Sequence, residues 1–167
     1  MEKILIIDFG SQYTQLIARR IREMQVYCEI VPFNKYSPGL LAGDVRGVVL
    51  SGSPCSVASP DAPRIDLSGI RGVLPLLGIC YGAQYLANLG GGMVEKSPTR
   101  EYGRAELVSL KQDDSLLAGL KRGSVVWMSH GDTITSVPDG FETIASTADV
   151  PVAAFHIVGE NTWGIQF

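Results

Sequence analysis

The run Val73-Leu74-Pro75-Leu76-Leu77-Gly78-Ile79-Cys80-Tyr81-Gly82-Ala83-Gln84-Tyr85-Leu86-Ala87-Asn88-Leu89 decides the fold. Its first part, Val73 to Ile79, is almost wholly apolar and broken in register only by Pro75. That predicts a strand buried on both faces of a parallel sheet. Its second part, Tyr81 to Leu89, predicts a helix that Gly90-Gly91-Gly92 stops. Between them stands Gly78-Ile79-Cys80-Tyr81-Gly82. A sharp strand-to-helix turn forces its central residue into a strained backbone conformation, and flanking side chains would collide there, so glycine is needed on both sides. The helix N-terminus, through its dipole and unpaired N–H groups, favours a thiolate on Cys80. The N–H of Tyr81 points at the same space and can stabilise an oxyanion. A buried, inert cysteine in a tight turn is the plainer alternative.

Working outward, Ile4 to Ile7 is a second buried apolar run, ending in Asp8-Phe9-Gly10. Ser11 is placed to cap a helix in which Ile17, Ile21 and Met24 recur from Leu16 at helical spacing. Val26 to Val31 and Gly47 to Leu50 predict further strands, with a short helical turn near Leu40 and Leu41 between them. Residues 55–71 include Pro60 and Pro63 and predict irregular chain. Beyond the glycine stop the pattern shortens. Ala105 to Leu110, Ser124 to Met128, Glu142 to Ser146, Val152 to His156 and Thr162 to Phe167 read as short strands between turns. The expectation is one α/β domain over residues 1–167: an open, mostly parallel twisted sheet with helices on both faces and antiparallel additions in the C-terminal half.

The totals exclude several function classes. With 167 residues the chain can bury a proper core, and 14 basic against 17 acidic residues leave a net charge of −3. No basic stripe stands out, so no nucleic-acid partner is expected. No apolar run approaches the ~20 residues of a membrane span, and the N-terminus lacks a signal-peptide pattern. Three unpaired cysteines argue against a disulfide framework and for the reducing cytoplasm. Cys28, inside an apolar strand, reads as core. Cys55 reads as a loop residue.

Two other segments follow strands and can reach the carboxyl edge of the sheet, where ligands bind. Ser51-Gly52-Ser53-Pro54 offers backbone N–H groups as a second oxyanion donor. Ser129-His130-Gly131-Asp132 reads as a ligand-shaping turn, because neighbouring residues on extended chain point apart and a direct His130–Asp132 catalytic pair is disfavoured. His156 reads as a structural histidine.

Four segments together carry a resemblance: Asp8 to Arg20, Gly78 to Gln84, Arg100 to Leu107 and Val126 to Asp132. The chain resembles the class I glutamine amidotransferases over essentially its whole length, and within them the amidotransferase domain of glutamine-hydrolysing GMP synthases. That resemblance implies a flavodoxin-like sheet and hydrolysis of glutamine through a Cys80 thioester. It implies oxyanion donors at Tyr81 and Ser53, and glutamine recognition by Gly52, Gln84, Ser129, Gly131 and Asp132. No metal and no cofactor is expected in this domain. The ammonia would go to a synthetase (ATP-pyrophosphatase) domain of the same parent chain, which uses ATP and magnesium to convert XMP to GMP.

Two departures stand out. The family's Ser-Gly-Gly-Pro loop reads Ser51-Gly52-Ser53-Pro54 here, which a backbone donor tolerates if Ser53 avoids positive φ. The family's last strand continues into His-Pro-Glu, which carries the other two triad members, whereas this sequence stops at Phe167. A truncated, inactive domain is therefore expected. Two other readings stay open: a different cysteine hydrolase or redox sensor on the same architecture, and a non-catalytic binding domain. Even without the family's histidine, the helix N-terminus is expected to make Cys80 the most reactive of the three thiols.

Overall fold

The computed structural model describes the backbone of residues 1–167 and the side chains of 1–97 and 102–167. Arg100 and Glu101, part of one resemblance segment, thus lie outside the described side chains. In chain order the elements are β1 (Lys3–Asp8), α1 (Thr14–Glu23), β2 (Cys28–Pro32), β3 (Val45–Leu50), β4 (Leu76–Ile79) and α2 (Tyr81–Leu89). There follow β5 (Met93–Glu106), β6 (Ser109–Leu110), β7 (Val125–Ser136), β8 (Phe141–Ser146), β9 (Ala154–Ile157) and β10 (Thr162–Ile165). Eight strands form one sheet in the order β2-β1-β3-β4-β10-β9-β8-β6, and β5 pairs with β7 in a separate ribbon. The pairings from β2 through β10 are parallel and those from β10 to β6 antiparallel. This is the mostly parallel sheet with antiparallel additions that the sequence predicts.

Strand alternation sorts the core onto the two faces of the sheet. Ile6 and Val49 pack with Ala18, Cys28, Ile17 and Ile21, so α1 covers one face. Leu5, Ile7, Val48, Leu50 and Leu76 pack with Ala83, Leu86 and Ala87 of α2 on the other. Cys28 is core, as its apolar strand predicts. A third cluster, around Leu107, Met128, Ile144 and Phe167, fills the antiparallel end.

Several boundaries differ from the sequence reading. Ser11 does not cap α1. The cap position is Tyr13 without a side-chain bond, and Ser11 instead accepts the Tyr13 N–H at 3.0 Å in the turn before the helix. Leu16 and Met24 are exposed, leaving buried Ala18 with half-buried Ile17 and Ile21 as the stripe that packs on the sheet. β4 starts only at Leu76, because Val73 and Leu74 close a turn onto the Ile70 carbonyl and Val73 is 68% exposed. The largest difference is the ribbon. β7 runs unbroken through Ser129-His130-Gly131-Asp132, pairing Ser129 with Tyr102 and Asp132 with Lys96. The polar, glycine-bearing composition suggests a turn, but the ladder offered by β5 overrides that local preference.

The elbow explains its two glycines sterically. A Cβ on Gly78 would lie 2.6 Å from the Gly82 carbonyl carbon, and one on Gly82 would lie 2.5 Å from the Leu50 carbonyl oxygen. Only glycine lets the first turn of α2 settle against β3 and donate the Gly82 N–H to Ser51 O at 3.1 Å. Gly82→Ala should therefore destabilise the fold by at least ~1–3 kcal/mol, as overpacking against rigid backbone does. Gly43→Ala, where a Cβ meets nothing within 4 Å, should stay within about 0.5 kcal/mol. Urea denaturation of the two variants checks this, and equal stabilities would refute the steric account.

Candidate active site

Four parallel strands end on one cavity. Gly10 to Tyr13 follow β1, Gly52 to Ser56 follow β3, Cys80 follows β4, and Gln166 and Phe167 follow β10. The cavity measures about 780 Å³, and Tyr102, Trp127 and Ser129 to Asp132 of the ribbon close its other side. This is the carboxyl edge of a parallel sheet, where convergent loops and helix N-termini gather.

Cys80 sits at the hinge between β4 and α2 with φ 52° and ψ −107°. Gln25 is the other non-glycine residue with positive φ among those described. Such a conformation costs on the order of 1–3 kcal/mol and persists only when its surroundings impose it. Here they do. The Cys80 N–H donates to Ile165 O at 2.8 Å, the Gln84 N–H to Cys80 O at 3.0 Å, and the adjacent Gly82 is tied to Ser51. Beneath the turn, Tyr81 donates its hydroxyl to Pro63 O at 2.6 Å and Tyr85 donates to Ile65 O at 2.7 Å. Burial pushes the Tyr81 phenol up to about 12, so it remains a donor throughout the ordinary pH range.

The Tyr81 N–H favours the charged form of the Cys80 sulfur, and the thiol faces Ser129 O at 3.8 Å. Burial nevertheless dominates. It drives the thiol from its ordinary 9.0 up to about 11, the Tyr81 N–H offsets this only in part, and the Asp132 charge pushes further upward. Burial therefore works against the thiolate that the helix N-terminus favours at Cys80. Desolvation of the charged form outweighs the dipole.

Gly52, Ser53, Gln84, Ser129, Gly131 and Asp132 all line the cavity with Cys80. Tyr81 reaches it by its backbone alone, its ring being packed on Phe9 and Tyr85. Ser53 is not among the positive-φ residues, so the departure from a second glycine carries no strain, and its hydroxyl accepts the Cys55 N–H at 3.2 Å. Buried Ser51 fixes the loop, accepting the Phe9 N–H and donating to Gly52 O, both at 2.9 Å. Cys55 also lines the cavity. His130 directs Nδ1 to the Asp132 backbone oxygen at 2.8 Å, not to its carboxylate. His156 lies elsewhere, bonded to Glu160 O at 2.8 Å and stacked on Trp163. The sequence reading missed Gln166, which is buried at the cavity wall. The available signal was a polar residue at the carboxyl end of an apolar strand.

Comparison with known proteins agrees with this geometry. Residues 5–167 match the family Glutamine amidotransferase class-I. The chain is 63% identical over 167 residues to the GMP synthase [glutamine-hydrolyzing] of Porphyromonas gingivalis, covering 100% of this chain and 33% of that protein. It is 58% identical over 166 residues to the enzyme of the same name from Bacteroides fragilis, covering 99% and 32%. It thus spans about a third of the length of these curated relatives. Among solved structures, a candidate GMP synthase subunit from Thermoplasma acidophilum superposes with a TM-score of 0.84 at 32% identity, covering 100% of this chain and 83% of that one. A glutamine amidotransferase from Thermotoga maritima, 19% identical with a TM-score of 0.77 over 99% of this chain and 75% of that one, shares the fold.

The raised thiol sets an order of alkylation. Near neutral pH, limiting iodoacetamide should modify exposed Cys55 first, Cys80 more slowly and buried Cys28 last. A thiol at about 11 instead of 9.0 has about a hundredfold less thiolate at neutral pH. Labelling of Cys80 should therefore climb roughly tenfold per pH unit toward pH 11, as read by peptide mapping. A Cys80 rate that levels off below pH 9 would contradict it.

Proposed function

Because the chain belongs to the class I glutamine amidotransferases, we propose that it hydrolyses the side-chain amide of glutamine to glutamate and ammonia through Cys80. The observation that carries this reading is the strained Cys80 at the carboxyl edge of four parallel strands, opening into the cavity that the loops after those strands line. The Cys80 thiolate attacks the amide carbonyl, and the oxyanion lies between the N–H groups of Tyr81 and Ser53. Ammonia departs with a proton, leaving a glutamyl thioester. Water then adds to the thioester, glutamate leaves and the thiolate is restored. Gly52, Gln84, Ser129, Gly131 and Asp132 hold the glutamine.

A thiol held up at about 11 needs a base or a neighbouring cation to react near neutrality. The family's His-Pro-Glu supplies that pair, and no position in these 167 residues matches it. The raised thiol also disfavours redox sensing, since peroxides oxidise thiolates.

The 63% identity to a GMP synthase supports a destination for the ammonia: a synthetase domain that aminates XMP to GMP with ATP and magnesium. ATP would bind there, because this sequence has no G-x-x-x-x-G-K-[ST] loop. Among the described residues no helix is long and apolar enough to cross a membrane. A reducing cytoplasm suits three free thiols.

Residues 1–167 alone should turn glutamine over ~10²–10⁴-fold more slowly than a chain extended through His-Pro-Glu, because triad members act as a unit. Cys80→Ala should abolish the activity of the extended chain in a coupled glutamate assay. Rapid, Cys80-dependent hydrolysis by residues 1–167 would mean that another residue, His130 first, acts as base.

A further inference from the structure

Gln84 and Gln166 are joined by a contact that the hydrolytic mechanism does not use. Both are buried, at 3% and 1% exposure. Gln84 Nε2 donates to Asp132 O at 2.9 Å and to Gln166 Oε1 at 3.2 Å. A primary amide has two N–H donors and one carbonyl acceptor, so both donors of Gln84 are spent. The Asp132 oxygen is held in turn by His130 Nδ1, and Gln166 is anchored through its own N–H to Ala153 O at 2.8 Å. Gln166 Nε2 has no hydrogen-bond partner among the described residues, although it is fully buried. An unpaired buried donor typically costs ~1–3 kcal/mol. A residue kept for stability alone would not be expected to leave one.

We propose that Gln166 is a positioning residue that fixes the amide of Gln84 with its NH₂ turned away from the ligand. Gln84 then offers the cavity an acceptor only. The wall selects a ligand that brings a donor there, such as the ammonium or carboxamide NH₂ of glutamine, and disfavours a carboxylate at the same spot. Without Gln166 the Gln84 amide can flip and show either face. The inference rests on the reading of this cavity as a glutamine site.

The test uses residues 1–167 and the variants Gln166→Leu and Gln166→Glu, with three readouts. Calorimetry with L-glutamine and L-glutamate gives affinity. Thermal unfolding gives stability. Hydrogen exchange of the Gln84 side-chain NH₂, followed by nitrogen-15 NMR, reports the lock itself. Gln166→Leu should weaken glutamine binding about tenfold, the size of one lost orienting hydrogen bond, and narrow the preference for glutamine over glutamate. Its melting temperature should change little, since the unpaired Gln166 donor is gone while one Gln84 donor loses its acceptor, and that Gln84 amide proton should exchange faster. Gln166→Glu keeps an acceptor for Gln84 and should retain binding within about threefold. Unchanged glutamine binding in Gln166→Leu, or affinity and stability falling together in both variants, would overturn the proposal. If the wild-type chain binds neither amino acid while its Gln84 protons stay protected, the glutamine-site reading falls and the lock stands. If those protons exchange alike in wild type and Gln166→Leu, the lock falls whatever binds.

Discussion

The site depends on holding Cys80 at φ 52°, a conformation that an unconstrained cysteine leaves at once. Three separate parts of the chain impose it. β10 takes the Cys80 N–H through Ile165 O, the loop after β3 takes the Gly82 N–H through Ser51 O, and the glycines let backbone approach backbone where a methyl could not fit. Ser51 joins these parts, since it also receives the Phe9 N–H from the end of β1. Cys80 and the Gly52-Ser53 loop are thus fixed by one network. A shift in any of the four strand ends would move both.

The same burial that makes the elbow rigid works against its chemistry. Partly buried at the cavity wall, the sulfur loses hydration, which pushes the thiol up to about 11. Tyr81, whose ring anchors the turn on Pro63, supplies the N–H that favours the charged form, so packing and the one favourable electrostatic contact come from the same residue. In the proposed hydrolysis, backbone geometry and thiol charge are thus set by opposing effects of the same burial.

The parallel part of the fold was legible because its cause is local. Ile4 to Ile7, Gly47 to Leu50 and Leu76 to Ile79 are apolar on both faces, which a two-sided sheet demands, and α2 falls at the predicted Tyr81–Leu89. Cys80, Gly52 and Ser53 were legible for the same reason, as they lie where strands end, whereas Gln84, inside α2, came from the family resemblance. The ribbon was not. Strand β7 through Ser129 to Asp132 exists because β5 pairs with it, and that pairing spans residues far apart in sequence. Gln166 escaped notice because its meaning depends on β10 lying parallel beside β4, a placement no local pattern announces. The elevated Cys80 thiol escaped for a related reason. The helix N-terminus is visible in sequence, but the depth of burial that outweighs it emerges only from the fold.

The central claim is that this cavity receives glutamine with its amide carbon at the Cys80 sulfur. Its most direct test is intact-mass and peptide mapping of residues 1–167 after long incubation with a glutamine analogue bearing a chloroketone in place of the side-chain amide. The account predicts an adduct on Cys80 that free L-glutamine suppresses while any adduct on exposed Cys55 is indifferent to it. Absence of a Cys80 adduct, or a Cys80 adduct that glutamine leaves unchanged, would contradict it.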